Sequence, residues 1–326
     1  MAEKKEDFES IRQTYTVLVL HFIDGMKQSD IALAMNLSPS KVNRLIAQGR
    51  KLGMVKIEIE SPFQRLVDLE KRMIEAAGLA SAVVAPTVPG SPDTTIQQVG
   101  RAAANQLLET LRDGDVIAIT GGKAVSAVVE NLLPERSFDV TVVPLTGGVQ
   151  GKHYTDVNHL ATRLAEKLGG KTMLLHAPLF AESREQRDML MEMASIKGVF
   201  DLARKAAIAL VGIGSIQTAS SSYYDLHPMP NPDRELLARS GAAGEFLAHL
   251  IRDDGSMADY PLNLRLVALE PEELSNCRRT IGVAAGPEKV RPIRAALAGR
   301  YLDSLVLDEE TAQAVLEGME GLRNVA

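Results

Sequence analysis

From Gly78 onward the chain repeats one pattern: an uninterrupted apolar run, a glycine-bearing turn, then an amphipathic stretch. The runs are Ala82–Ala85, Val116–Thr120, Val140–Leu145, Met173–Ala177, Ile208–Ile213, Ile281–Ala285 and Leu305–Asp308. Between them lie helical stretches at 95–111, 123–133, 158–168, 184–205 and 288–298. Strands apolar on both faces need cover on both faces, and helical crossovers supply it between parallel strands. The body is therefore predicted to be a doubly wound, mostly parallel α/β domain. Ligands of such sheets bind beyond the carboxyl ends of the strands, where the strand order reverses. Residues 215–234, rich in Ser, Tyr, Pro and Asn, read as a long surface loop and a candidate lid.

The first 60 residues follow another plan. Residues 8–23 have helix length and end in a densely apolar stretch, which Asp24-Gly25 stops. A short helix with Ile31, Ala34 and Met35 on one face follows, then the turn Asn36-Leu37-Ser38. Ser38 is placed to cap the next helix, with Pro39 at its first position and Val42, Leu45 and Ile46 as its apolar stripe. After Gly53, the alternation Met54–Glu60 predicts a strand with one wet face. This order is a helix-turn-helix with a small wing. Ser40, Lys41, Asn43 and Arg44 point outward from the first turns of the reader helix. Asn and Arg can each bond one base edge twice, and Ser40 and Lys41 suit phosphates. The same spacing also serves a helical bundle that binds protein.

Charge supports the DNA reading once the chain is divided. The net charge is −6, yet residues 1–65 hold ten basic and eight acidic residues, and 27–56 hold six basic residues against the single acid Asp30. A basic module on an acidic body can meet phosphates while the body stays off the polyanion. Residues 62–78 form an amphipathic helix with Leu66, Leu69 and Met73 as its stripe, either a dimer seam or a helix packed on its own domain. The expected domains are 1–60, a linker helix 61–78, and an effector domain 79–326.

Three glycine turns follow strands: Thr120-Gly121-Gly122-Lys123, Thr146-Gly147-Gly148, and Gly212-Ile213-Gly214-Ser215. Glycines let backbone N–H groups approach an anion, and a following helix start adds positive potential. A Thr hydroxyl and the Lys123 ammonium would complete a phosphate cradle. Neither a dinucleotide fingerprint nor a Gly-Lys-Ser/Thr loop is present.

In order along the chain, these pieces resemble the SorC-type bacterial transcription regulators. The matching segments are Asp30–Arg50, Gly114–Gly122, Val143–Gly148, Leu168-Gly169-Gly170 with Ala177-Pro178, and Ala209–Gly214. Further matches are Gly241–Glu245, Ala284–Lys289 with Ile293–Leu297, and Leu307–Ala312. The resemblance implies an effector domain like those of sugar-phosphate isomerases, used for sensing a sugar, polyol or sugar phosphate, in dimers or tetramers. By position it implies effector contacts from Thr120, Gly121, Gly122, Lys123 and Ala124, from Thr146, Gly147 and Gly148, and from His159, Glu245, Asp254 and Lys289. There are departures. Lys123-Ala124 stand where phosphate-binding relatives tend to carry hydroxyl residues, and Thr146 where some carry a base. Lys123 then either replaces that base, or the effector is neutral. Pro287 removes one N–H donor from the turn before Lys289.

Plainer roles exist for each residue. Lys289 can be a solvated helix-start lysine, Glu245 a partner of a base such as Arg252, and Asp253-Asp254-Gly255 a simple turn. His153, His159 and His176 lack metal spacing. Lys123 could form an imine with an open-chain sugar only with a depressed pKa. Cys277 has no catalytic partner in the sequence, and one cysteine suits a reducing compartment. The charged start, Met-Ala-Glu-Lys-Lys-Glu-Asp, shows no secretory signal, and no apolar run reaches membrane-spanning length, so the expected location is the cytoplasm. The function expected is a DNA-binding regulator, a repressor of a carbohydrate catabolic operon, controlled by its effector and without a cofactor. The alternatives are a sugar-phosphate isomerase or deaminase, for which no acid/base pair stands out, and a non-catalytic scaffold.

Overall fold

In a computed structural model the chain forms two compact units, Met1–Pro62 and Phe63–Ala326. The structure describes residues 2–55, 64–149, 154, 156–217, 223–224 and 234–323.

In the first unit α1 (Ala2–Leu18) runs into a π-turn, Val19–Ile23, followed by α2 (Gln28–Ala34) and α3 (Pro39–Lys51). Val17 and Leu18 of α1 pack with Ile31 and Ala32 of α2 and with Val42, Leu45 and Ile46 of α3. Ser38 caps α3 as expected, its Oγ accepting the Lys41 N–H at 3.2 Å. Asn36 takes the left-handed conformation at φ 52, a position that asparagine tolerates. The predicted wing is not described: Met54 and Val55 form no strand, and 56–60 lie outside the described residues.

The second unit is built on a parallel sheet in the order β1-β9-β8-β5-β2-β3-β4. These strands are β1 (Ser81–Ala85), β2 (Val116–Ile119), β3 (Thr141–Pro144), β4 (Lys171–Thr172), β5 (Ile208–Gly214), β8 (Arg279–Val283) and β9 (Ser304–Asp308). One face is covered by α5 (Pro92–Thr110), α6 (Lys123–Asn131) and α7 (Val157–Leu168), which bury Val99, Leu107, Val125, Val128 and Leu164. The other is covered by α4 (Gln64–Ala77), α9 (Ala194–Ala203), α11 (Val290–Ala298) and α12 (Glu309–Arg323). Leu66, Leu69 and Met73 of α4 lie in this second core, so the helix read from sequence as a linker is a packed part of the second unit.

Four local expectations change. No strand forms at the predicted Met173–Ala177, where the Asn158 side chain takes both backbone groups of Leu175, at 2.9 and 3.0 Å; a two-residue strand, Lys171–Thr172, precedes it instead. The helix predicted at 184–205 breaks at Met193 (φ −61, ψ 127) into α8 (Arg184–Glu192) and α9. An antiparallel hairpin, β6 (Ala242–Phe246) and β7 (His249–Arg252), extends from the end of β5 and had no strand prediction. Most of the candidate lid, 218–222 and 225–233, lies outside the described residues; α10 (Arg234–Arg239) follows it.

Candidate functional site

The strand order locates the site. From β2 the chain proceeds to β3 and β4 on one side, and from β5 to β8 and β9 on the other. The carboxyl ends of β2 and β5 therefore flank the switch point, where an open α/β sheet leaves a crevice. Thr120 spans it: its Oγ1 accepts the Gly212 N–H at 3.0 Å, and its own N–H donates to Leu210 at 3.2 Å. Thr120 is 6% exposed, so its hydroxyl joins the two strands.

The first glycine turn makes a donor site. Gly122 sits at φ 118, ψ 159, a conformation essentially confined to glycine, and caps α6 without a side chain. The first-turn amides of α6, at Lys123, Ala124 and Val125, are those that helix geometry leaves without intrahelical partners. Gly121, Gly122 and Ala124 are half-buried and Lys123 is exposed, its Nζ 5.6 Å from the centre of the Tyr154 ring.

The second glycine turn does something else. The Gly147 N–H donates to Val267 at 2.7 Å and the Gly148 N–H to Ala177 at 2.9 Å. A side chain at Gly147 would strike the Pro178 backbone, and Thr146 is buried and bridges Ala268. This loop is packed between neighbouring segments, and both glycine amides are already used. The expectation of an anion cradle here is corrected.

The third turn receives a carboxylate. β6 pairs antiparallel with β5, setting Glu245 opposite Gly214, where its carboxylate fills the space a side chain at 214 would take. Glu245 Oε1 accepts the Ala248 N–H at 2.5 Å. Burial raises the Glu245 pKa, against the opposing pull of the Ala248 N–H and of Lys289. Burial in turn lowers the Lys289 pKa, with Lys123 adding to that effect and Glu288 and Glu245 opposing it. Lys289 therefore lies within electrostatic reach of both Glu245 and Lys123. These residues come from three elements: the start of α6, the end of β6, and the 3₁₀ turn Pro287–Lys289 before α11.

The Lys289 turn is held from below. The Gly286 N–H donates to Asp308 Oδ1 at 2.8 Å and to Thr311 Oγ1 at 3.1 Å. Asp308, 1% exposed, also accepts from the Thr87 hydroxyl at 2.9 Å and the Thr311 hydroxyl at 2.7 Å. One buried carboxylate therefore ties together the segments after β1, β8 and β9. Asp308 is not among the contacts expected from the sequence; its signal there is an Asp ending an apolar strand with a Thr three positions later.

One expected contact, Asp254, does not join this group. Asp254 is exposed and satisfied within its own turn by the Ser256 N–H and hydroxyl, at 2.9 and 2.6 Å. The adjoining Gly255 packs against Gly299, just past the far end of α11, roughly 15 Å of helix from Lys289. His159 is exposed in the first turn of α7, where Asp156 caps its backbone N–H at 3.2 Å. Cys277 is half-buried and burial raises its thiol to about 11, leaving it protonated at neutral pH. Among the described residues no cluster of three His, Cys, Asp or Glu could hold a metal; His153 lies outside them.

In the first unit, Ser40, Asn43 and Arg44 are exposed on α3 and Lys41 is half-buried beside them. The positions facing away from the core are those a reader helix presents to a major groove.

Comparison with known proteins agrees with both halves. The family model described as "Putative sugar-binding domain" matches residues 61–317, and that for "Sigma-70, region 4" matches 13–52. The erythritol catabolism regulatory protein EryD of Brucella abortus is 32% identical over 303 residues, covering 91% of this chain and 94% of that protein. The sorbitol operon regulator of Klebsiella pneumoniae is 29% identical over 316 residues, covering 96% of this chain and all of that protein. The crystal structure of full-length SorC from Klebsiella pneumoniae matches with a TM-score of 0.73 at 28% identity, covering 94% of this chain and 98% of that one. With a sugar-binding domain model matching most of its length, and operon regulators aligning nearly end to end, the chain belongs to the SorC family of sugar-binding transcriptional regulators.

Proposed function

We propose that the chain regulates a carbohydrate catabolic operon, reading operator DNA through α3 and sensing a phosphorylated sugar or polyol at the carboxyl ends of β2, β5 and β8. The observation that carries the effector reading is that Lys289 lies within electrostatic reach of Glu245 and of Lys123, which opens α6 at a helix start without a side-chain cap. Two ammonium groups and free helix amides suit a phosphate, and a buried carboxylate suits sugar hydroxyls. With the Gly147 and Gly148 amides occupied and that of Gly122 given to Tyr154, the phosphate subsite is assigned to the first-turn amides of α6 and to Lys123 rather than to the second loop. The relatives named above are regulators, which favours sensing over turnover.

The regulator acts in the cytoplasm as a homo-oligomer, a dimer or tetramer, and is a repressor whose operator affinity its effector controls. No helix of the described residues is long and apolar enough to cross a membrane. An effector changes DNA affinity only through different affinities for two protein states.

Thermal unfolding against sugars, polyols and their phosphates tests the effector site. A ligand at 100 times its dissociation constant adds about 2.7 kcal/mol. Phosphates should stabilise and Lys123→Ala should abolish their shift. Stabilisation by neutral polyols alone would overturn the phosphate assignment, and no shift across the panel would overturn the effector class.

A further inference from the structure

The first unit carries a basic groove that the reader-helix pattern does not include. It lies between α1 and α3, has a volume of about 570 Å³, and is lined on one side by Arg12 and Gln13 and on the other by Lys41, Arg44 and Gln48. Among the described residues Glu9 is the single carboxylate in its wall. Arg12 and Arg44 are exposed, and among the described residues none of the three basic side chains enters an ion pair. The two helices are fixed against each other by Val17 and Leu18 packing on Val42, Leu45 and Ile46, so Arg12 keeps a set position relative to Lys41.

Three unpaired cations around one groove are an electrostatic cost unless a polyanion meets them. The groove runs along the flank of the helix that presents Asn43 and Arg44. When such a helix lies in a major groove about 12 Å wide, a sugar–phosphate strand passes each of its flanks. An exposed guanidinium with a planar fork is the side chain best shaped for a phosphate there.

We propose that the α1/α3 groove seats the sugar–phosphate backbone of one DNA strand, with Arg12 a phosphate contact beside Lys41. This rests on the reading of α3 as a DNA reader and adds a residue, from a different helix, that sets affinity without sequence preference.

The test is the salt dependence of binding by the full-length protein to a fluorescein-labelled 30-base-pair duplex of arbitrary sequence, followed by anisotropy. Loss of one phosphate contact lowers the slope of log K against log[salt] by about 0.9. Arg12→Ala should give that loss and Arg12→Lys should restore the slope. Glu9→Gln, which removes only the opposing charge, should tighten binding. An unchanged slope in Arg12→Ala while Lys41→Ala lowers it would overturn the groove assignment alone. A wild-type protein with no salt-dependent binding would overturn the DNA reading and this inference together.

Discussion

The carboxylate of Glu245 occupies the volume that a side chain at Gly214 would need, across the antiparallel bridge joining β6 to β5. The glycine and the acid are complementary parts of one site wall. Gly214→Ala should displace Glu245 and cost about 1–3 kcal/mol of stability, as overpacking does. It should also weaken the thermal shift given by a stabilising sugar phosphate. Denaturant unfolding and the ligand-induced shift measure the two effects separately; an unchanged ligand shift would remove Glu245 from the site.

Asp308 acts on the site through the Gly286 turn rather than by contact. Asp308→Asn replaces one acceptor oxygen by a donor facing Gly286, Thr87 and Thr311. The expected loss is about 1–3 kcal/mol, the cost of leaving buried polar groups unpaired. Ligand affinity should fall with it, because the turn carries Lys289. Ligand affinity equal to wild type, measured on the folded variant by calorimetry, would show that the turn is held by other contacts.

The hairpin imposes a pH limit. His249 is 4% exposed, and burial lowers its pKa to about 4, an effect that the Leu247 carbonyl, 3.0 Å from Nδ1, opposes in part. A histidine with a folded pKa below its unfolded value near 6.5 is stabilising above the latter, and that contribution is lost as pH falls through the window from 6.5 to 4. The loss is on the order of 3 kcal/mol. Urea midpoints between pH 7 and pH 4.5 should fall for the wild type, and fall less for His249→Asn. Equal slopes would mean that another group carries the acid sensitivity.

In the reader helix, Arg44→Ala should relax preference at one operator position at a cost of about 1–3 kcal/mol, and Lys41→Ala should weaken all sequences alike. Binding to a panel of single-base operator variants distinguishes them. Uniform weakening by both would remove Arg44 from base reading.

How much of this was legible without coordinates depends on the range of the interactions. The helix-turn-helix was readable because capping by Ser38, the spacing of Val42, Leu45 and Ile46 and the turn at Asn36 are all local. The parallel sheet was readable because strands buried on both faces leave apolar runs of characteristic length. The β6–β7 hairpin left no such signal. Its turn uses Leu247 and Ala248 at φ 52 and 65, where sequence rules expect Asn or Gly. Both residues are buried, Ala248 packing with Leu179, Leu266 and Ala268, so tertiary packing holds a turn that local preference opposes.

Sequence by itself determined the two-part plan, the outward face of α3, and the association of glycine turns with strand ends, since each follows from periodicity and from neighbours a few residues apart. Only the tertiary structure decided which turn keeps free amides. Gly147 and Gly148 spend theirs on Val267 and Ala177 and Gly122 spends its own on Tyr154, while the first-turn amides of α6 that follow Gly122 have no side-chain cap. It also separated Glu245 from Asp254, nine positions apart in the chain, to opposite ends of α11. A hydrogen bond or steric contact between segments a hundred residues apart leaves no mark in local spacing, and such contacts choose which polar groups remain available to a ligand.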